Sequence, residues 1–309
     1  MSAGWVAAGV RGRGLLRRRL GGDGASRLAA LPSLAAALAE LGATPYGREI
    51  HPGMDLAAAQ HGVSATMVWH LRILAGWGPP LGAGPLRVFA GGFEIANITG
   101  YLVALSGGQV PDVYELGSLA AAWPAVLRSR TAAEVRAALT SSPWGDPGSE
   151  ELAIMRLALQ LAWARRVFDG SPGAADCAVA YGALVVARVI ATGSRASLGP
   201  GAVRDATHLL GPGWAEATSL EDLTGRLPRV AARGLDGVRA LEDLWRAEAR
   251  WWSTLDTAGA ELVARPRADA SVGVGVAARL AADAWRVRAA LAVAAGGGGG
   301  LAEVLDGVA

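Results

Sequence analysis

Side chains that commonly carry catalysis are few in this sequence. It contains four histidines, one cysteine and no lysine, because all 29 basic residues are arginine. The histidines lack the i, i+4 spacing that places two metal ligands on one helix face, so no metal site is predicted. The absence of lysine excludes a Walker A phosphate-binding lysine and a Schiff-base nucleophile. The lone Cys177 excludes an internal disulfide and fits a reducing compartment. We therefore expect no catalytic residue, no cofactor and no metal.

Two groups of polar residues remain candidates for another role. Glu94 and Asn97 lie one helical turn apart in an otherwise apolar segment, FEIANITGYLVALSGG. They form either a polar contact between packed helices or a contact with a partner. The second group lies near the N-terminus, where basic side chains could contact nucleic-acid phosphates, an acidic protein surface or only solvent. These basic residues are Arg11, Arg13, Arg17, Arg18 and Arg19.

One sequence pattern recurs along the chain and predicts how its elements are arranged. SLAAALAELGATPYG, from Ser33 to Gly47, is matched by TAAEVRAALTSSPWG, from Thr131 to Gly145. A weaker third copy, SLEDLTGRL, begins at Ser219 and lacks the Pro-aromatic-Gly ending. Because a hydroxyl at the N-cap accepts a hydrogen bond from the first helical turn, each copy predicts a helix start. Pro45 and Pro143 are predicted to stop the first two helices.

Further helices follow from apolar spacing and from glycine and proline punctuation. A Gly/Pro-rich turn is predicted from Gly76 to Pro85, and the five glycines from Gly296 to Gly300 are predicted to form a flexible joint. Four further helices are predicted at Trp5–Leu20, ended by Gly21 and Gly22, at Phe93–Gly108, at Glu150–Phe168 and at Asp283–Ala294.

Composition supports an all-α protein with several units. Hydrophobic residues make up 52% of the 309 positions and are largely alanine, the best helix former, while 11 tryptophans are available to anchor cores. The copies begin roughly 90 to 100 residues apart, too far for a solenoid repeat. We predict three tandem helical units, covering residues 1–92, 93–180 and 181–309. The net charge of +2 does not by itself demand a polyanionic partner.

Membrane insertion is not predicted from the sequence. The uncharged stretch from Ile95 to Pro111 is interrupted by Asn97 and by glycines, and falls short of the about 20 apolar residues that a span needs. No secretory signal is predicted either, because arginines follow Trp5 where an apolar segment would be needed. We expect a soluble or peripheral protein.

Several short motifs together resemble one known family. The motifs that carry the resemblance are VRGRGLLRRRL, the helix ending in Thr-Pro-Tyr-Gly, and the FEIANI helix start. The chain resembles the C-subunit family of the bacterial and archaeal V-type rotary ATPases, whose eukaryotic counterpart is the d-subunit. The similarity covers the chain from about Val10 to Ala294. It implies three similar helical domains arranged as a funnel or socket. It also implies a peripheral position on the cytoplasmic face of the membrane, between the central shaft subunits and the proteolipid ring.

The resemblance implies a non-catalytic protein that couples shaft rotation to proton or sodium transport, with no small-molecule substrate and no nucleic acid as partner. Arg11, Arg13, Glu94 and Asn97 are then the candidate contact residues, and the helix starts at Trp5, Phe93 and Tyr181 are candidates for the lining of the opening. Two alternatives remain. One is a helical nucleic-acid-binding protein that uses the basic N-terminal helix, and the other is an enzyme with an unrecognised site.

Overall fold

The computed structural model describes residues 3–78, 83–110, 112–266 and 269–299. All regular secondary structure within these ranges is helical, without strands, as the alanine-rich composition predicts. The all-α fold class is confirmed at this level. The arrangement of three repeated units as a funnel stays a prediction.

The chain divides into two compact units. Unit 1 combines the chain up to Leu86 with the chain from Trp252 onward, and unit 2 runs from Arg87 to Trp251. In chain order the α-helices are α1 (Ala3–Leu16), α2 (Gly21–Ala29), α3 (Leu34–Leu41), α4 (Leu56–Trp77), α5 (Ala83–Leu105), α6 (Trp123–Val126), α7 (Ala132–Thr140), α8 (Leu152–Gly170), α9 (Ala175–Ala191), α10 (Pro200–Leu210), α11 (Leu220–Arg226), α12 (Arg229–Gly234), α13 (Leu244–Ala264) and α14 (Ala270–Ala295).

Each copy of the repeated segment begins a helix through its hydroxyl residue. The Ser33 hydroxyl accepts the Ala36 amide at 3.2 Å, and the Thr131 hydroxyl accepts the Glu134 amide at 3.2 Å. Ser219 does the same for Asp222 at 3.1 Å. The three predicted helix starts are therefore confirmed, and each cap contributes about 1 kcal/mol.

Two predicted helix boundaries in the first half of the chain are wrong. Gly21 does not end the basic helix with Gly22, because α1 already stops at Leu16 and Gly21, at φ 73°, leads the chain into α2. Helix α5 begins at Ala83 rather than near Phe93, and it includes Pro85 because proline is tolerated in a first helical turn. Part of the predicted turn before it, residues 79–82, lies outside the described residues.

Unit 1 is built around α14, which packs against α1, α2, α3 and α4. Its core contains side chains with almost no exposure, among them Leu28, Leu41, Met67 and Leu71. Helices α13 and α14 meet at two glycines: a Cβ on Gly275 would lie 2.7 Å from the Gly259 carbonyl oxygen. The two backbones therefore touch, which no larger residue would permit.

The end of α14 is also tied to unit 1. Gly296 caps the helix, and the Gly299 amide donates to the Ala29 carbonyl at the end of α2, at 3.2 Å. Over its described part, the predicted flexible joint is thus hydrogen-bonded to its neighbour. Gly300 lies outside the described residues.

Unit 2 is built around α8, α9 and α10, which pack together. Aromatic rings join its helices in sequence: Trp163 meets Tyr181 edge-on with ring centroids 4.9 Å apart, and Tyr181 lies 5.1 Å from Trp251. The Trp251 indole donates to the Cys177 carbonyl at 2.8 Å. Tryptophan thus anchors this core, as the composition suggested.

One helix among the described residues is long and apolar enough to cross a membrane by length and composition alone, which the sequence analysis did not predict. This helix is α5, with a mean hydropathy of 1.4 over its best window, of which 44% is buried. A core helix of a folded unit passes the same test. The hydrogen bonds of Glu94 and Asn97 in α5, described next, are those of such a core helix.

Candidate functional site

Glu94 is buried in unit 2, at 1% exposure, and both of its carboxylate oxygens accept hydrogen bonds. Oε1 accepts the amides of Ala121, Ala122 and Trp123 at 2.7, 2.7 and 2.8 Å. Oε2 accepts the indole N–H of Trp144 at 2.9 Å. Because these amides lead into α6, the carboxylate satisfies donors that the start of a helix leaves unpaired.

Asn97, one turn further along α5, is 2% exposed and holds the segment that follows the helix. Its side-chain amide donates to the Tyr114 carbonyl at 2.9 Å, and its oxygen accepts the Tyr114 amide at 2.8 Å. Glu94 and Asn97 together fasten the chain between α5 and α6 onto α5. Of the two roles that the sequence left open, the structure therefore shows the internal polar contact.

A buried carboxylate in unit 1 makes the same kind of contacts. Asp283 on α14 is 1% exposed. It accepts the Tyr46 hydroxyl at 2.9 Å and, at the start of α2, the amides of Leu20 at 3.1 Å and Gly21 at 2.7 Å. Burial and the neighbouring carboxylate raise the pKa of Tyr46 well above its usual value, so its hydroxyl keeps the proton that it donates.

The two copies thus build one arrangement twice, and we call it the carboxylate clasp. In each clasp an acid on a long apolar helix accepts a donor from the aromatic residue of the Pro-aromatic-Gly ending, and also accepts backbone amides at the start of a shorter helix. The first clasp joins Asp283 to Tyr46, and the second joins Glu94 to Trp144. The recurring sequence pattern of hydroxyl, leucine, proline, aromatic and glycine is therefore a repeated structure.

The partners in the two clasps are not apparent from the sequence. The predicted helix from Asp283 to Ala294 is confirmed, but its start is wrong, because α14 begins at Ala270 after an N-cap at Asp269 and Asp283 lies in its middle. The signal that could have found it is an isolated acid within an apolar run, LAADAWRV, comparable to Glu94 in GGFEIANI. An acid in such a run needs a buried donor, and each repeat supplies an aromatic one.

The N-terminal arginines lie on the surface of unit 1. Arg11 is exposed, with its guanidinium 5.7 Å from the Trp77 ring centroid, and Arg13 is exposed and donates to the Val263 carbonyl at 2.9 Å. Helix α1 packs on α14 through Gly12, where an added Cβ would lie 2.9 Å from Val276. Its opposite face carries Val6, Val10 and Arg13, and Arg17 lies in the turn directly after the helix, where its amide donates to the Arg13 carbonyl at 3.1 Å; all four are exposed. We call these four residues the α1 outer stripe.

The candidate contact residues thus fall into two kinds. Arg11 and Arg13 are accessible, whereas Glu94 and Asn97 are buried in unit 2 with their polar atoms already bonded. Phe93 and Tyr181 pack against aromatic neighbours of unit 2, Tyr114 for the former and Trp163 with Trp251 for the latter. The interface assignment of Arg11 and Arg13 and the lining of an opening stay predictions.

The residues that could take part in metal or redox chemistry are dispersed. Across the ranges that the structure describes, no group of three or more histidine, cysteine, aspartate or glutamate side chains is placed to hold a metal ion. Cys177 is a buried free thiol in the core of unit 2. His208 is exposed, with Nε2 3.3 Å from an Asp169 oxygen. His70 is buried, and burial followed by repulsion from Arg18 lowers its pKa to about 4, so its imidazole is neutral at physiological pH.

Comparison with protein-family models finds no match to this chain, and comparison with curated proteins finds none either. Membership of the V-type ATPase C-subunit family is therefore a proposal. What supports it are the motifs quoted above and the places that those motifs occupy in the two units.

Proposed function

We propose that this chain is a non-catalytic central-stalk component of a V-type rotary ATPase or ATP synthase, coupling the rotating shaft to the membrane proteolipid ring for proton or sodium transport. The observation that carries the proposal is the repeated carboxylate clasp. Thr-Pro-Tyr-Gly supplies Tyr46 of the first clasp, and FEIANI supplies Glu94 of the second together with Asn97. Motifs that resemble the C-subunit family thus supply contacts that hold these helical units together.

The clasps also suit a part that transmits torque. A helical unit under load needs its elements fixed to one another by contacts that are costly to break. A buried carboxylate with three or four donors is such a contact, because removing one partner leaves a desolvated charge or donor at a cost of about 1 to 3 kcal/mol. Charge-assisted hydrogen bonds of this kind are stronger than neutral ones.

The surface that we assign to partner contact is the α1 outer stripe with Arg11. Val6 is 46% exposed and Val10 is 63% exposed, and the two valines are followed along the same face by Arg13 and Arg17. Apolar and arginine side chains together are typical of contact surfaces, since arginine pairs with carboxylates while its stem packs on apolar surface. Glu94 and Asn97 drop out of this surface because both are buried.

The test is purification of the full chain, carrying an affinity tag, from its own cells in mild detergent. We expect the nucleotide-binding subunits, the shaft subunits and the ring proteolipid of one V-type complex to co-purify, together with ATPase activity. Purification without any of these proteins would overturn the proposed function.

A charge-reversal variant tests the assigned surface separately. Arg13→Glu with Arg17→Glu is expected to lower the recovery of shaft and ring proteins several-fold at moderate salt. The matched control is Arg229→Glu with Arg233→Glu on α12, two exposed arginines with the same i, i+4 spacing, which is expected to leave recovery unchanged. Equal losses in both variants would remove the outer stripe from the proposal.

The nucleic-acid alternative retains one supporting observation. Arg17, Arg18 and Arg19 make no ion pair with any residue that the structure describes. Binding of the purified chain to duplex DNA or RNA, with an affinity that falls steeply as salt rises and is lost in the Arg13/Arg17 variant, would favour that function over the coupling role.

A further inference from the structure

Unit 1 contains a cleft of about 690 Å³ beside the first clasp. It lies between the C-terminal end of α1, helix α2, the turn at residues 45–48, and helices α4 and α14. Four arginines line it, from three separate parts of the chain: Arg18, Arg19, Arg27 and Arg48. The volume falls within the about 300 to 1,000 Å³ of small-molecule sites.

The arginines of this cleft are poorly balanced by acids. Asp283 is the one carboxylate among the described residues that line it, and its oxygens already accept the Tyr46 hydroxyl and two amides. Arg48 pairs with Glu49 at 3.0 Å and covers the Trp69 ring at 4.7 Å. Arg18, Arg19 and Arg27 have no ion pair or side-chain hydrogen bond to any part of the chain that the structure covers.

The lining of the cleft also includes one buried histidine, His70. Its imidazole lines the same space and is 7% exposed. Burial, and after it repulsion from Arg18, disfavours the imidazolium form. The lining, with four arginines and one carboxylate, gives the cleft an excess of positive charge, and its neutral histidine adds a hydrogen-bonding group without adding charge.

Unit 2 provides an internal comparison. A cleft of about 310 Å³ lies beside the second clasp, lined by the Ser-Pro-Trp-Gly ending and by Arg165 and Arg204. There acids accompany the arginines: Arg165 Nε is 2.7 Å from an Asp205 oxygen, and Asp146 in the same lining pairs with Arg136 at 2.8 Å. The lining of the second cleft thus holds as many carboxylates as arginines, whereas the first has four arginines and one carboxylate that is already bonded.

We propose that the basic cleft of unit 1 binds a ligand through its phosphate groups, carried either by a small soluble molecule or by a lipid headgroup. Guanidinium groups match phosphate oxygens in bidentate geometry, and several of them around one space favour a ligand with more than one phosphate. Because Arg48 already covers the Trp69 ring, charge rather than aromatic stacking provides the recognition. This inference does not depend on the proposed coupling function.

The experiment is calorimetric titration of the full chain with inorganic pyrophosphate at low ionic strength. The cleft variant Arg18→Gln with Arg27→Gln, with folding verified by circular dichroism, is expected to weaken binding at least tenfold. The control variant Arg265→Gln with Arg288→Gln removes the same charge from exposed positions of unit 1 outside the cleft. It is expected to change affinity less than twofold, and an equal loss in both variants would overturn the proposal.

A second measurement locates the ligand. Saturation with pyrophosphate is expected to raise the pKa of His70 by at least one unit in an NMR titration, because a bound anion favours the imidazolium form, which burial and Arg18 disfavour. Four histidines make that signal assignable. Binding that leaves the His70 pKa unmoved would place the ligand elsewhere and overturn the assignment.

Vesicles separate the two sources of phosphate. Co-sedimentation with phosphatidylglycerol vesicles but not phosphatidylcholine vesicles, reversed by pyrophosphate and lost in the cleft variant, identifies a lipid headgroup. Pyrophosphate binding without vesicle binding identifies a soluble ligand. Absence of both, or a single-stranded oligonucleotide that binds far more tightly than pyrophosphate through the same arginines, would overturn the proposal.

Discussion

Glu94 and Asp283 place carboxylates inside helices that are otherwise apolar, and such a placement is costly unless every oxygen is bonded. A buried charge without partners is destabilised by several kcal/mol, whereas backbone amides and aromatic donors compensate for lost water. Each of these two acids meets that requirement with donors from two distant parts of the chain. The clasps therefore form only when the fold brings these donors together, and once formed they stabilise the fold.

Replacing Glu94 by glutamine tests this dependence. The amide keeps one oxygen for the backbone donors but turns an N–H towards the Trp144 indole, so we expect unfolding in urea to become easier by about 1.5 to 3 kcal/mol. Glu151→Gln makes the same change at an exposed site of unit 2 and should stay within about 0.5 kcal/mol of the parent.

A double-mutant cycle completes that test. If Trp144→Phe and Glu94→Gln act through one hydrogen bond, the double variant should lose less stability than the two single variants added together. Simple additivity would mean that the indole and the carboxylate are not coupled.

His70 predicts a pH dependence of stability in unit 1. Its pKa is about 4 when folded, below its ordinary value of about 6.5, so the unfolded chain binds more protons between those two values. The contribution of neutral His70 is therefore present above about pH 6.5 and is lost as pH falls towards 4, by about 3 kcal/mol in total. Urea unfolding at several pH values, compared between the parent and His70→Gln, should show a smaller loss in the variant. Parallel pH profiles would contradict this prediction.

At the scale of elements, the short repeated segments predicted helix starts more accurately than the long apolar runs did. Ser33, Thr131 and Ser219 begin helices as expected, because an N-cap is a local interaction that neighbouring residues specify. The boundaries at Gly21 and Ala83 were missed because glycine usually follows the end of a helix, whereas here α2 begins at Gly21 and α5 continues through Gly91 and Gly92. The clasps could be predicted only in part. An isolated acid in an apolar run indicates a buried donor, but the pairing of Tyr46 with Asp283, 237 positions apart, depends on the fold.

The contact between α13 and α14 gives a sharp test of packing. Gly275→Ala is expected to destabilise unit 1 by about 1 to 3 kcal/mol, because the added methyl would lie 2.7 Å from a backbone oxygen of Gly259. Gly273→Ala, two residues earlier on α14, meets nothing within 4 Å and should stabilise by up to about 1 kcal/mol. Thermal unfolding of both variants measures the contrast, and shifts of the same sign would refute the backbone contact.

At the scale of the whole molecule, unit 1 is discontinuous in sequence while unit 2 is continuous. The three units predicted from the spacing of the repeats assumed that each copy folds with its own neighbours in the sequence. Instead the first copy uses α14, whose Asp283 is 237 positions from Tyr46. Spacing between copies carries no information about which distant helix completes a unit.

This discontinuity predicts different behaviour for two fragments. Residues 83–264, which contain α5 to α13 complete, should form a helical fragment that unfolds cooperatively.

A chain ending at Trp251 should keep amide protection in unit 2 and lose it in α1 to α4, as measured by hydrogen exchange. Adding residues 252–309 as a separate polypeptide should restore that protection. Protection of α1 to α4 without the added segment would show that α14 is dispensable.

The position of α14 near the far end of the chain has a consequence during translation. Domains generally fold as they leave the ribosome, at about 5 to 20 residues per second. The helices before Arg87 emerge first, but α14, the helix that covers them, begins about 180 residues later, at Ala270, which takes roughly 10 to 40 s. Throughout that interval their apolar faces and the unfilled partner position of Tyr46 remain open to chaperones. During translation, unit 2 can therefore fold before unit 1.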